Sequence, residues 1–272
     1  MSTDLDTLAL QHANGLGPAA LLARWQQAAD RKAPAATEPS PEQIAYAQAY
    51  WQRVWAAPEP PAPDILCTRA ARIEMPYAEA RRQVWTLLDA RARAISGRPA
   101  AEFWQFDAYH ADIIRSLIRY FTNDPDGPYP PHKGLFLFGP PGTGKTELMQ
   151  IMSAFASRAG LTKAFQFSSM SDIYTRARTT DDYDPIAPNI QFHRCFDELV
   201  RYTGAVHRFG NPIDLNEAII EQRYARWQRY GQITHFIANA TPTDTKTMFT
   251  EMLFDRLRAL CTSVEFRGAS KR

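Results

Sequence analysis

Apolar positions fall into two rhythms along this chain. Between residues 76 and 121 they recur every three or four positions, which is the spacing of one helix face. Tyr77, Val84, Leu87, Leu88 and Ile95 predict a helix from Pro76 to about Ser96, with Arg81, Arg82, Arg91 and Arg93 outside, and Gly97-Arg98-Pro99 breaks it. Tyr109, Ile113, Leu117 and Phe121, supported by Ile114 and Ile118, predict another helix over 106–121. Beyond residue 130 the rhythm changes to short apolar runs separated by helical stretches. The runs 134–138, 164–168, 190–196, 233–238 and 262–266 read as strands, and 170–178, 213–230 and 244–260 as helices. Strands alternating with helices mean a parallel sheet covered on both faces, with its ligand at the carboxyl ends of the strands. The predicted fold is α/β, three-layered, with a parallel five-stranded sheet.

The first sixty residues follow neither rhythm for long. Residues 16–29 read as one helix carrying Leu21, Leu22 and Trp25, and RKAPAATEPSP after it as a linker. From Pro41 to about Ala57, Ile44, Ala47, Tyr50, Trp51, Val54 and Trp55 share a helix face, and the proline-rich run 58–63 is a stiff spacer. A short aromatic-faced helix between two such segments cannot make its own core. It either docks on a partner protein or folds back onto the rest of the chain.

Composition changes this picture little. The chain has 272 residues, a formal net charge of +2, 45% hydrophobic and 22% charged residues, ordinary figures for a globular chain with a sizeable core. Only six of the 31 basic residues are lysines. The arginines of the two helices are either a phosphate-binding surface or a solvated face. Cys67, Cys195 and Cys261 are far apart, without zinc spacing or the density of a disulfide framework. No apolar stretch approaches ~20 residues and the N-terminus carries no signal pattern, so a cytoplasmic location and no membrane partner are expected.

The chemistry centres on GPPGTGKT, Gly139 to Thr146. It stands between the apolar run 134–138 and the helix-favouring stretch from Glu147, the context in which G-x-x-x-x-G-K-T acts as a phosphate loop, or Walker A motif. Gly139, Pro140, Pro141, Gly142, Thr143 and Gly144 form the turn. Gly142 and Gly144 let backbone N–H groups point inward, and the new helix adds its positive dipole end. Lys145 is placed to reach the β- and γ-phosphates of ATP, and the Thr146 hydroxyl to ligate Mg²⁺.

Two later strand ends complete the pattern. Asp197-Glu198 closes the run 190–196, expected beside the phosphate-loop strand, where Asp197 would hold the Mg²⁺ shell and Glu198 polarise the attacking water. His193 and Arg194 interrupt a strand that is ordinarily apolar throughout, which marks a lateral opening or a shifted register. Asn239 ends the run 233–238 and is a hydrogen-bond donor for the γ-phosphate or the lytic water. Arg201, His207 and Arg208 follow the Asp-Glu strand and are candidates for a DNA-facing surface.

GPPGTGKT, Asp197-Glu198, the Asn239 strand end, the helix bearing Asp255-Arg256-Leu257-Arg258, and the closing V-E-F-R-G-x-S-x-R of residues 264–272 together resemble the DnaC/IstB-like branch of the AAA+ ATPases. The similarity covers about residues 105–272. It implies an additional-strand P-loop fold without a C-terminal helical lid, and a Mg²⁺-dependent ATPase. It implies that Arg256 is an arginine finger reaching the ATP of a neighbouring subunit of a homo-oligomer, and that Arg272 is a second sensor arginine. In this branch the N-terminal part binds a replicative helicase, and single-stranded DNA lies along the pore. The resulting division is a helical, proline-rich partner-binding region over 1–63, a helical segment over 64–130 and an AAA+ core over 131–272. Helicase loading is the leading function, with a transposase helper or a nucleotide-gated adaptor of little hydrolysis as alternatives.

Overall fold

The computed structural model describes residues 73–104, 106–180, 183–199, 201, 206–208, 211–240 and 249–268. The helices and linkers read from the first 63 residues, Tyr50, Trp51 and Trp55 included, lie outside these, as does Arg272. In chain order the described elements are α1 (Tyr77–Ser96), α2 (Ala100–Phe103), α3 (Ala108–Phe121), β1 (Gly134–Phe138), α4 (Lys145–Arg158), β2 (Gln166–Ser169), α5 (Met170–Thr179), β3 (Arg194–Asp197), β4 (Val206–Arg208), β5 (Asn211–Ile213), α6 (Leu215–Tyr230), β6 (Thr234–Ala238), α7 (Glu251–Leu260) and β7 (Cys261–Glu265).

Five strands form one parallel sheet in the order β2-β3-β6-β1-β7. Side chains on a strand point alternately to its two faces, and β1 sorts its residues accordingly. Leu135 and Leu137 join Val84, Leu88, Leu117, Phe121 and Met152, from α1, α3 and α4, in one apolar cluster. Phe136 and Phe138 join Ile173, Ile219, Trp227, Leu253 and Leu257, from α5, α6 and α7, in the other. The fold is the three-layered α/β sheet that the alternating pattern predicts.

Local chemistry sets the helix ends. The Asp107 carboxylate accepts the His110 N–H at the start of α3, Asp214 accepts those of Asn216 and Glu217 at the start of α6, and Thr250 accepts that of Leu253 at the start of α7. Gly97 and Gly231 close α1 and α6 in the left-handed conformation. The Arg91 guanidinium on α1 holds the Glu147 carboxylate in the first turn of α4 with two bonds, 2.7 and 2.9 Å, tying the helical segment to the helix behind the phosphate loop.

Several expectations are corrected. The Asp197 strand is not beside the phosphate-loop strand, because β6 lies between them. β3 is four residues long rather than seven. Residues 187–189 form a 3₁₀ turn, so the run expected to begin at 190 reaches extended geometry only at Arg194, and Asp197 is itself in the strand. His193 and Arg194 form no lateral opening. His193 Nδ1 accepts the Ile233 N–H at 2.8 Å, and Arg194 donates to Ser168 Oγ and to the carbonyls of Pro188 and Gln191. The four-residue α2 and the antiparallel β4–β5 hairpin were not expected from the pattern.

Candidate functional site

β1 delivers the chain to the carboxyl edge of the sheet at Phe138, and the loop begins there. Gly139 has φ 134°, and a Cβ on it would stand 2.1 Å from the Phe266 carbonyl oxygen, because the Phe266 N–H donates to the Phe138 carbonyl at 2.7 Å. The segment after β7 is therefore closed directly onto the start of the loop. Gly144, φ 89°, is the residue preceding α4, and Gly142 has φ 80°. Pro140 and Pro141 form the exposed shoulder. The Thr143 hydroxyl donates to the Pro140 carbonyl at 2.9 Å.

Lys145 is 3% exposed, and its ammonium donates to the carbonyls of Gly139 and Pro140 at 2.9 and 2.7 Å and to Thr143 Oγ1 at 3.3 Å. It lies inside the curl of the loop, where anionic oxygens offered by a ligand would meet it. Thr146, in the first turn of the helix, stands near enough for its hydroxyl to act on the Asp197 carboxylate, which β3 brings from the opposite side of β6. Burial raises the Asp197 pKa above the usual carboxylate range, while the Thr146 hydroxyl, the Glu198 N–H and the Lys145 charge act the other way. A hydroxyl and a partly desolvated carboxylate beside a buried ammonium fit a small oxygen-preferring cation carried by a phosphate chain.

Glu198 is half-buried and sits at φ 60°, uncommon for a residue with a long side chain. Its N–H donates to Asp197 Oδ1 at 2.8 Å, and its carboxylate is ion-paired with Arg201. The next N–H, of Leu199, donates to the Ile237 carbonyl at 2.9 Å, fastening the turn to β6. Asn239 is exposed at the end of β6, the strand between β1 and β3, so the sheet order places it between the loop and the Asp-Glu strand end.

Arg256 is not brought to this edge. On α7 it is ion-paired with Glu221 of α6, and its guanidinium lies 6.0 Å from the centre of the Tyr224 ring. Of the DNA-facing candidates, Arg201 is the partner of Glu198, while His207 and Arg208 lie on β4 of the hairpin.

Sequence reasoning passed over one part of the site. Beside Thr143, Gly144 and Glu147 opens a groove with about 350 Å³ of empty space, part of it open to solvent. Its walls carry Trp104, Phe106, His110 and Phe266. Trp104 and Phe106 are stacked at 6.0 Å, and His110 meets Phe266 edge-on at 6.3 Å. The aromatic run at 103–106 was the available signal, but nothing in its spacing tells where it packs.

The sheet order, the loop on β1 and the carboxylate one strand beyond β6 define a P-loop NTPase fold of the additional-strand, AAA+ type. This is the fold that the resemblance implies. No protein-family profile matches the sequence, and no curated protein does. Solved structures do. A chain from Streptococcus pyogenes serotype M3 described as a primosome component is 16% identical with a TM-score of 0.46, over 61% of this chain and 84% of that one. A structure of DnaI is 18% identical with a TM-score of 0.45, over 63% and 93%. AMPPCP-bound DnaA from Aquifex aeolicus is 15% identical with a TM-score of 0.34, over 51% and 41%. At these identities and scores the likenesses bear on neither activity nor partner. Among the described residues, no helix is long and apolar enough to cross a membrane, and no three or more His, Cys, Asp or Glu side chains are grouped so as to hold a metal ion.

Proposed function

We propose that this chain is a Mg²⁺-dependent ATPase of the AAA+ class that works on DNA, most specifically as a loader or remodeller of a replicative helicase. The observation that carries the ATPase reading is the meeting of Thr146 and the half-buried Asp197 carboxylate at one sheet edge beside buried Lys145. Residues 51 positions apart in sequence meet at one edge, in the combination that phosphoryl transfer uses to hold the metal and the terminal phosphates. Thr146 and Asp197 would hold Mg²⁺, which when bound neutralises charge on the phosphate oxygens. Lys145 leaves the loop carbonyls for the phosphates, and the N–H groups of the curl and of the first turn of α4 bind the same oxygens. Glu198 orients a water and accepts its proton, and Asn239 donates a hydrogen bond to the γ-phosphate or to that water. Arg256 completes the site of a neighbouring copy, and Arg272 acts as a second sensor arginine in its own.

The test is steady-state ATP turnover of the full chain with and without single-stranded DNA, alongside Lys145→Ala. The variant should lose at least ~100-fold in turnover; unchanged turnover would remove the loop assignment. Capture of a replicative helicase by the full chain, lost on deleting residues 1–63, supports the loader reading. Binding of duplex DNA with no helicase capture favours a transposase helper.

The Glu198–Arg201 ion pair favours a second reading, a nucleotide-gated adaptor that hydrolyses slowly because its water-orienting carboxylate is engaged. Under that reading Arg201→Ala raises basal turnover several-fold. An unchanged rate leaves the ion pair without a role in restraint.

A further inference from the structure

α4 begins inside the phosphate loop, at Lys145, and carries Glu147 in its first turn. That turn holds the N–H groups and the positive dipole end on which phosphate binding would depend. A carboxylate in this position stabilises the empty helix through the same dipole. It also opposes an anion arriving there. Glu147 lines the same surface as Thr143 and Gly144 of the loop, so its charge stands beside the residues that would cradle phosphate.

The charge is met from another element. Arg91, in the second half of α1, donates through Nε and Nη2 to the two Glu147 carboxylate oxygens at 2.7 and 2.9 Å. A guanidinium fork that engages both oxygens fixes the orientation of the pair as well as its distance. Other α1 arginines pair within their own helix, Arg82 with Glu79 and Arg93 with Asp89. Arg91 instead reaches a residue 56 positions along the chain. Stability gives little reason for this. The two side chains are 44% and 30% exposed, and solvent screening leaves such a pair a small part in folding.

We infer that Arg91 is a positioning residue for nucleotide capture, which acts by taking up the Glu147 charge at the end of α4 where the phosphates enter. The inference rests on the phosphate loop binding a nucleoside triphosphate, as proposed above. Without Arg91, the Glu147 carboxylate repels the phosphates and competes with them for the N–H groups of the first turn. With Arg91 in place, Glu147 adds no net charge there, and the dipole end is left to the ligand. The helical segment that precedes β1 thus sets the affinity of a phosphate site to which α1 supplies no ligand of its own.

The test measures binding of ATP and of inorganic tripolyphosphate, with Mg²⁺, to the full chain as wild type, Arg91→Ala, Arg91→Lys, Glu147→Gln and the Arg91→Ala/Glu147→Gln double variant. A tie that only fastened α1 to α4 would be broken alike by Arg91→Ala and by Glu147→Gln. Charge compensation gives the two substitutions different signs. At low salt Arg91→Ala should bind ATP about three- to tenfold more weakly. The loss should shrink at about 1 M salt, where the screening length falls to about 3 Å. Arg91→Lys keeps the charge and should keep most of the affinity. Glu147→Gln should bind at least as tightly as the wild type, and in the double variant it should restore what Arg91→Ala loses. Tripolyphosphate should follow the same order, because the charge acts on the phosphates. Equal weakening by Glu147→Gln and Arg91→Ala, or wild-type affinity in Arg91→Ala, overturns the inference and leaves the loop assignment intact. If the wild type binds neither ATP nor tripolyphosphate, the nucleotide reading and this inference fall together.

Discussion

At the scale of single residues, the two glycines bounding the phosphate loop are constrained for different reasons. A side chain on Gly144 would meet nothing within 4 Å, so its cost is the left-handed backbone alone, about 1–2 kcal/mol. A side chain on Gly139 would collide with backbone, the Phe266 carbonyl oxygen at 2.1 Å, and backbone cannot swing aside. Gly139→Ala should therefore lower the thermal midpoint more than Gly144→Ala does, and should weaken nucleotide binding by displacing Phe266. Equal midpoints for the two variants would show that the segment after β7 is not pressed against the loop. The motif pattern alone identified both glycines as loop-formers. It could not distinguish them, because the group that confines Gly139 is far away in sequence.

At the scale of elements, the amino ends of β3 and β6 carry polar groups where an apolar strand was expected. His235 is fully buried, with Nδ1 accepting the Leu135 N–H at 3.1 Å, and His193 does the same for Ile233. Nearby Arg223, also fully buried, donates to Thr234 Oγ1 and to the carbonyls of Ile190, Phe192 and Ile233. Burial, with the Arg223 and Lys163 charges beside it, lowers the His193 pKa to about 4 and keeps His235 well below its ordinary value, and burial lowers Lys163 to about 7 against the pull of the Glu74 carboxylate. Both histidines are less basic folded than unfolded, so between about pH 6.5 and 4 the unfolded chain binds protons that the native one does not, and stability falls as pH falls. Each such proton contributes a slope of about 1.4 kcal/mol per pH unit. Denaturant midpoints measured across that window should drop steeply, and His235→Asn, which keeps an acceptor for Leu135, should flatten the decline. A parallel, undiminished decline in the variant would place the effect elsewhere.

Which elements were legible follows from the same physics. β1, α4 and β6 stood out because five-residue apolar runs and a glycine-rich turn are local signals. β4 and β5 are three residues each, and Pro212 within β5 suppresses the strand reading. The groove was illegible because Trp104, His110 and Phe266 meet only through the tertiary fold.

At the scale of the whole molecule, Arg256 stands apart from the loop of its own chain, held by Glu221 across the α6–α7 contact. If it serves a neighbour's nucleotide, activity belongs to an assembly. Arg256→Ala should then be inactive alone yet regain turnover when mixed with a Lys145→Ala chain, each supplying what the other lacks. Full activity of the variant by itself would place the finger elsewhere. The order of the strands, which decides that Asn239 lies between loop and carboxylate, was beyond the sequence pattern. A parallel alternation of strands and helices is compatible with several orders.

β1 has only two strand neighbours, and both are made long after it: β6 at residues 234–238 and β7 at 261–265. During synthesis the phosphate loop is complete by residue 146, but the sheet edge beneath it and the Phe266 contact at Gly139 cannot form until more than a hundred further residues have emerged. Such long-range pairing is slow to close. If the loop binds ATP as proposed, a nascent chain carries the whole motif before the sheet that supports it exists, and ATP should stabilise only a chain in which β7 has docked. Nucleotide capture would then report that the sheet is finished.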